Sequence, residues 1–570
     1  MPAPNETTPR AGPRGPETGE GSQPVAIEVN NAIFYYPDGT LVIDDVSLRV
    51  PTGSVTALIG PNGVGKTTML GVIAGDLDLD EGTVRSDTEV AYMRQNPGFD
   101  DPDTATVLDA LALSLPAELK PVHRELRSLY AVEIPTADTG IAIAHALDVW
   151  QALGGYEAEA TWDQVTRAVL DQGLDEAGDR QLRELSGGER KSIILRSFLS
   201  SSVPTLILDE PDNFLDMYSK AWLEQSLKDS SKTILLVSHD RTLLTKAVDR
   251  MVVLEHNGHW VHGSTYSTFR AERQRRNERL AKDADAWKAE ERRLYRFYKL
   301  MKNRAGASEA LASRADAAQS RWERFRDAGP PQAPPPEREI VPKFLGSRAG
   351  NEAIRITRLD VADLVLPFSV TIYNGDRVAL LGENGVGKST FLRSIKSTAL
   401  AEEGRLRFGP NAKLGFFSQD VDIRDDGQEL LDIVKQRFPN PEQARAALGR
   451  YGLSDRTRHH VSELSGGQKA RVQLLLLERE DPNVLLLDEP TDNLDLESIQ
   501  VIEEVLVDLD ATQVAITHDG WFTRVFNRFI LFDRDGVVGE VNERLRALHI
   551  ASGRGFSLID EPGVKILTDM

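Results

Sequence analysis

The chain has 570 residues, 40% hydrophobic and 27% charged, with a formal net charge of -21 at pH 7 and no cysteine. That length calls for about two to four domains. Without cysteine there are no disulfides, iron–sulfur clusters or cysteine-ligated zinc, and the acidic balance excludes an evenly basic nucleic-acid binder. The longest apolar runs, such as Ile234–Val237 and Val484–Leu487, are strand-sized and far short of the roughly eighteen residues that cross a bilayer.

Residues 1–25 are rich in Pro, Gly, Glu and Thr and lack the apolar stretch of a signal peptide. That composition predicts a disordered segment and a cytoplasmic protein. From residue 26 an α/β pattern begins. Its first landmark is Gly60-Pro61-Asn62-Gly63-Val64-Gly65-Lys66-Thr67-Thr68, a glycine-rich loop that closes backbone N–H groups around phosphate oxygens at a helix N-terminus. Lys66 is placed to reach the β- and γ-phosphates, and the Thr67 hydroxyl to ligate Mg²⁺. Gln95 ends the strand-like run Val90–Met93, and its amide is placed to meet Mg²⁺ or the attacking water.

Residues 100–165 carry apolar residues at helical spacing, among them Leu108, Leu111, Leu115, Leu126, Leu129, Ala144, Leu147 and Trp150. From Lys66 to Ser186 is 120 positions, whereas the matching interval in the second half is 77, so the first half holds about 43 extra residues. A small helical insertion explains them, and so does a longer version of an ordinary helical subdomain. Leu185-Ser186-Gly187-Gly188-Glu189 follows, then the buried-strand pattern Thr205–Leu208. That strand delivers Asp209 to the magnesium shell and Glu210 as the base that polarises water. Ser238-His239-Asp240 closes the first series, His239 being aimed at the γ-phosphate or the water.

After residue 265 the composition changes. Ala271–Asp327 holds sixteen Lys/Arg against ten Asp/Glu in an otherwise acidic chain. Leu280, Trp287, Leu294 and Met301 keep a seven-residue interval, and Leu311, Ala315, Ala318, Trp322 and Phe325 alternate intervals of four and three. Two helices turning near residues 303–308 would zip into an antiparallel hairpin through these faces. Pro330, Pro331, Pro334, Pro335 and Pro336 end it and stiffen the return to residue 345. A solvated coiled-coil spacer also fits this pattern. The basic skew, with Lys299, Lys302 and Arg304 beside Tyr295, Phe297 and Tyr298 at the tip, favours RNA contact.

The second half, residues 346–549, repeats the series. It has Gly382-Glu383-Asn384-Gly385-Val386-Gly387-Lys388-Ser389-Thr390, then Gln419, then Ser465-Gly466-Gly467, then Asp488-Glu489, then His518. Ser389, Asp488 and Gln419 are the magnesium candidates, Glu489 the base and His518 its neighbour. Residues 550–570 form a tail without a legible role. One such motif is a moderate signal, but five in fixed order, twice, define paired ATP sites.

These motifs resemble the ABC ATPases, whose distinguishing element is Leu-Ser-Gly-Gly-[Glu/Gln]. The resemblance implies that each such element completes the ATP site of the opposite module. Lys66 and Glu210 would then work with Ser465, Gly466 and Gly467, and Lys388 and Glu489 with Ser186, Gly187 and Gly188. Two fused modules, an insertion in the first and a charged hairpin between them resemble the ABC-F family over about Ile27–Leu545. That resemblance implies two P-loop domains in tandem, paired head to tail in a monomer, and a partner in the ribosome. The hairpin would approach peptidyl-tRNA and ribosomal RNA from the tRNA exit site, in a translation factor or an antibiotic-resistance protein. A twin-ATPase subunit serving a membrane transporter made of separate chains is the competing reading. The chain departs from the family pattern Asp-Glu-Pro-Thr-Asn-His-Leu-Asp at Asp212, Phe214, Asp492 and Asn493. Tyr36 is the adenine-stacking candidate of the first site; no aromatic stands near Asp360–Asp363 in the second.

Overall fold

A computed structural model of the chain describes residues 24–95, 104–132, 134, 136–256, 258–305, 309–334, 349–361, 364–395, 404–418 and 427–569. Gln419, Pro335, Pro336 and all of the N-terminal segment before Pro24 lie outside the described residues.

Each half is a sheet wound on its phosphate-loop strand. In the first, the strand order is Val90–Met93, Thr205–Asp209, Thr233–Val237, Val55–Ile59, Arg250–Glu255 and Gly258–His262, parallel except for the last pair. Every residue of Thr205–Asp209 and Thr233–Val237 is buried, as continuous apolar runs between covered faces require. Shortening Leu208 or Leu487 to alanine costs about 2–5 kcal/mol by the usual price of a core cavity. The second sheet repeats the order with Leu414–Ser418, Val484–Asp488, Thr512–Ile516, Arg377–Gly382, Arg528–Phe532 and Val538–Val541. A further strand, Lys565–Ile566, pairs antiparallel with Val538–Val541, so the C-terminal segment is part of this sheet. Three-stranded antiparallel sheets, Val25–Tyr35 with its two neighbours and Glu352–Val361 with its own, stand beside the main ones.

The modules share their interface core. Met217 opens the helix Met217–Asp229 of the first module and packs in the hydrophobic cluster of the second. Leu496, at the start of the equivalent helix Leu496–Asp508, packs against the cluster of the first. This reciprocal exchange gives the head-to-tail arrangement.

In the first module the helices Leu119–Tyr130 and Ala137–Ala152 have no counterpart among the described residues of the second. Gly155–Leu170 and Pro441–Arg450 occupy matching places ahead of the two Leu-Ser-Gly-Gly segments. The extra residues are thus a helical pair whose His123 and Trp150 pack on Trp162 of the shared helix, the rings 5.7–6.4 Å apart. This is narrower than the interval 100–165 read from periodicity, because the flanking helices belong to the shared subdomain.

The interdomain helices are Tyr266–Arg304 and Glu309–Asp327. The first, of 39 residues, is about 58 Å long at 1.5 Å per residue. They zip through the expected faces, with Leu294, Ala315 and Ala318 buried and Trp287 stacked on Phe325 at 5.4 Å. Tyr298, which lies between Leu294 and Met301 on the packing face and also next to the basic tip, serves the seam. It is buried in the seam, stacked on Trp322 at 5.7 Å, while Trp322 donates Nε1–H to Glu291 at 2.8 Å. The seven-residue register put Tyr298 four positions after Leu294, on the same face, so packing claimed it. Phe297, half exposed, and Tyr295, 38% exposed, are the accessible aromatics among the described residues at this end.

Candidate functional site

The phosphate loops leave the carboxyl ends of Val55–Ile59 and Arg377–Gly382, where open α/β sheets bind ligands. Backbone contact forbids side chains here. A Cβ on Gly60 would lie 2.4 Å from the Leu254 carbonyl, and one on Gly382 2.4 Å from that of Phe532. Gly65 and Gly387 cap the following helices in the left-handed conformation, φ 100° and 95°, which glycine adopts without strain.

Lys66 Nζ donates to the Gly60 and Pro61 carbonyls at 2.8 and 3.1 Å, and Lys388 Nζ to those of Gly382 and Glu383 at 2.9 and 2.6 Å. Burial pushes Lys66 below the ordinary lysine range and Lys388 down to about 8. A desolvated ammonium on a loop of inward N–H groups is compensated by an anion, so the cradle fits a polyphosphate. Thr67 and Thr390 are exposed at the loops' ends, whereas Val64 and Val386 pack inward and Gly63 and Gly385 form the turns. Thr68 is buried and its hydroxyl lies 3.0 Å from that of Tyr36. Tyr36 itself lines the cleft of the first site and is 44% exposed, enough ring to meet a base.

Asp209 ends its strand with both carboxylate oxygens buried; burial raises its pKa against the opposing pull of the Thr67 hydroxyl, Lys191 and Lys66. A buried carboxylate beside the Thr67 hydroxyl, with the Gln95 amide held on the adjoining Glu210, is an oxygen-donor set that fits Mg²⁺. In the second site Ser389 Oγ donates to Asp488 Oδ1 at 3.2 Å. Glu210 and Glu489, one residue on, both have positive φ, 47° and 50°. Such strained backbone persists where surrounding structure holds it, and it gathers at functional sites. Glu210 Oε2 accepts from Gln95 Nε2 and from Asn213 Nδ2, each at 2.5 Å, and burial raises its pKa. His518 Nε2 lies 3.9 Å from Glu489 Oε1. Burial drives His239 down to about 3 and His518 well below its ordinary value, so both rings are neutral. Their ring nitrogens have no partner among the described residues.

The two modules complete each other's sites. Asn62 N donates to Asp495 Oδ2 at 3.0 Å, and Asn384 N to Asp216 Oδ2 at 3.4 Å. The 670 Å³ cleft at the first loop is lined by Lys66, Gln95 and Glu210 from one side and by Ser465 and Gly466 from the other. Gly467 stands behind it, against Ser498. Gly188 faces the second loop, where a Cβ would lie 3.0 Å from Asn384 Nδ2, and Ser186 and Gly187 are exposed beside it. Both Ser186 and Ser465 cap their helices with reciprocal boxes.

The sequence reading missed the buried ion pairs at the interface of the modules. Arg241 reaches Glu503 in bidentate fashion and Asp519 at 3.0 Å, with Trp521 over its guanidinium. Lys220 bridges to Asp240 at 3.1 Å within a pocket that also holds Asp212, Asp492 and Asp519. The departures Asp212 and Asp492 were its only trace in the sequence.

Fold and site together define a tandem ATP-binding-cassette ATPase. The ABC transporter family profile matches residues 43–213 and 365–492. A relative from Mycobacteroides abscessus described as "Antibiotic resistance protein" is 39% identical over 89% of this chain and 97% of its own length. The tylosin resistance ATP-binding protein TlrC of Streptomyces fradiae is 30% identical over 88% of this chain and 96% of its own. The energy-dependent translational throttle protein EttA of Escherichia coli is 28% identical over 87% and 90%. The chain belongs to the ABC-F family of these ATPases. Among solved structures, an RNase-L Inhibitor has the same fold, with a TM-score of 0.52 at 17% identity over 90% of both chains. Among the described residues no helix is long and apolar enough to cross a membrane.

Proposed function

We propose that the chain binds ATP and Mg²⁺ at both interfaces, hydrolyses it, and uses closure of the modules to act on the ribosome from the tRNA exit site. Lys66 and Lys388 bind the phosphates, and Ser465–Gly467 and Ser186–Gly188 complete the sites from the opposite module. Thr67, Asp209 and Gln95 would hold the cation in one site, and Ser389, Asp488 and Gln419 in the other. When bound, Mg²⁺ screens the phosphate charge and polarises the phosphoryl oxygens. Glu210 and Glu489 accept the proton of the attacking water, and His239 and His518, neutral, can donate or accept one hydrogen bond beside it.

The hairpin supplies the contact with RNA. Lys299 and Arg304 are exposed at its distal end next to Phe297. Lys302, also exposed, is turned onto Tyr298, its Nζ 3.0 Å from the hydroxyl, and can swing free to meet a phosphate. The observation that carries this reading is a pair of phosphate loops, each met by the opposite module across one interface and linked by a basic hairpin, in a chain 39% identical to an antibiotic resistance protein. That relative and TlrC favour protection of the ribosome against drugs over a housekeeping role. A susceptibility panel on a strain expressing the gene tests it. Raised resistance to macrolides, lincosamides or pleuromutilins is expected, lost in the Glu210→Gln/Glu489→Gln variant. No change in resistance to any of them removes the protection reading.

A further inference from the structure

The segment after Ala551 had no legible role in the sequence, yet it meets the second phosphate loop directly. Glu383 is the second residue of that loop and is only 3% exposed. Its carboxylate turns away from the cleft. One oxygen accepts the backbone N–H of Gly555 at 2.7 Å, and the other accepts Nε–H of Arg534. The carbonyl of the same residue holds Lys388 Nζ. Glu383 is therefore a joint, with its backbone on the phosphate lysine and its side chain on the C-terminal segment.

The neighbouring residue points the other way. Arg554 Nη2 donates to Asp171 Oδ1 of the first module at 2.8 Å. Asp171 caps the helix Gly155–Leu170 and lies 15 positions before Ser186, in the subdomain whose Leu-Ser-Gly-Gly segment faces this same site. Two adjacent residues thus touch the second phosphate loop and the first module's helical subdomain. The segment is firmly held. Leu558 is fully buried and donates its N–H to Asp533 at 3.1 Å, and the strand Lys565–Ile566 joins the sheet.

Internal repetition supports a working role. Arg250 and Arg528 pair with equivalent positions of the phosphate-loop strands, which makes Glu255 the counterpart of Asp533. In the first module Glu255 is gripped by Arg276 of the hairpin at 2.9 Å. The helix Arg544–Ala551 follows its sheet as the hairpin helix Tyr266–Arg304 follows the other. What the hairpin root is to the first phosphate loop, the C-terminal segment is to the second.

We propose that residues Arg554–Leu558 are a working part of the second ATP site, with Glu383 positioning its phosphate loop and Arg554 registering the approach of the first module. This rests on the site binding ATP. The Asp171–Arg554 pair is half exposed, so its share is small; the buried Glu383 joint carries more.

The test uses the full chain with one site emptied at a time, reading mant-ATP affinity by fluorescence. In the Lys66→Ala background, where the second site remains, Glu383→Gln is expected to weaken binding about tenfold. Arg554→Ala and Asp171→Ala each weaken it two- to threefold, without adding to each other, and the swap Asp171→Arg/Arg554→Asp restores it. In the Lys388→Ala background, where the first site remains, the same changes leave affinity unmoved. Equal affinity of all variants in the first background overturns the inference, as does equal weakening in both backgrounds, which would mark general loosening. If the Lys66→Ala parent itself binds no mant-ATP, the ATP-site reading fails and this inference with it.

Discussion

Glu210 and Glu489 follow equivalent strands with the same positive φ, and their carboxylates keep different company. Glu210 accepts two amide N–H groups, from Gln95 and Asn213. At the place of Asn213 the second module has Asp492, whose carboxyl is pushed well above the usual range by burial and by Glu489 itself. The two sites are built from one plan with different proton inventories.

Turnover should depend on both glutamates. Glu210→Gln/Glu489→Gln is expected to lose about 10²-fold or more of ATPase activity, the usual worth of a positioned base, while retaining ATP. Steady-state phosphate release with a parallel binding assay checks this.

Asp212 gives a pH signature. Burial, with Asp240 next to it, pushes its carboxyl up to about 6 despite the attraction of Lys220. Asp492 and Asp519 face the same pocket from the other module. A carboxyl raised above its unfolded value favours the fold while protonated, and that contribution is lost as pH rises through about 6. Asp212→Thr, which copies Thr491, should therefore raise the unfolding midpoint clearly near pH 8 and by much less near pH 5, as thermal melts would show.

The interface staple is open to a double-mutant cycle. Arg241 is 3% exposed, so Arg241→Ala strands the buried Asp519 and the partly buried Glu503 and should cost about 3 kcal/mol. Glu503→Gln in the same background should add little. Denaturant unfolding of the four proteins measures the coupling, and simple additivity would mean that the pair does not act as a unit.

For the hairpin, Lys299→Ala and Arg304→Ala should each weaken ribosome binding and lower the slope of log affinity against log salt by about 0.7–0.9. An unchanged slope would mean that these side chains meet no phosphate.

Much of this was legible in the sequence because the motifs work through backbone geometry. Gly60, Gly65 and their repeats are required where a Cβ would strike a carbonyl or a left-handed turn is needed, and the strands before Asp209 and Asp488 announce themselves by unbroken apolar runs. What stayed hidden depends on partners far along the chain. Glu383 looked like one more loop residue, yet its carboxylate is used 172 positions away by Gly555. Arg241 gave no signal, because Glu503 lies 262 positions on. Tyr298 was ambiguous for a different reason: one face of a helix serves both a seam and a tip, and the apolar partner Trp322 decides which.

The central claim is that ATP closes the two modules into a form that grips the ribosome. The most direct measurement is co-sedimentation of the Glu210→Gln/Glu489→Gln protein with 70S ribosomes, with ATP or without it. Near-stoichiometric pelleting is expected with ATP and little without. Failure to pellet with ATP, or co-purification with an integral-membrane partner free of ribosomal RNA, would contradict it.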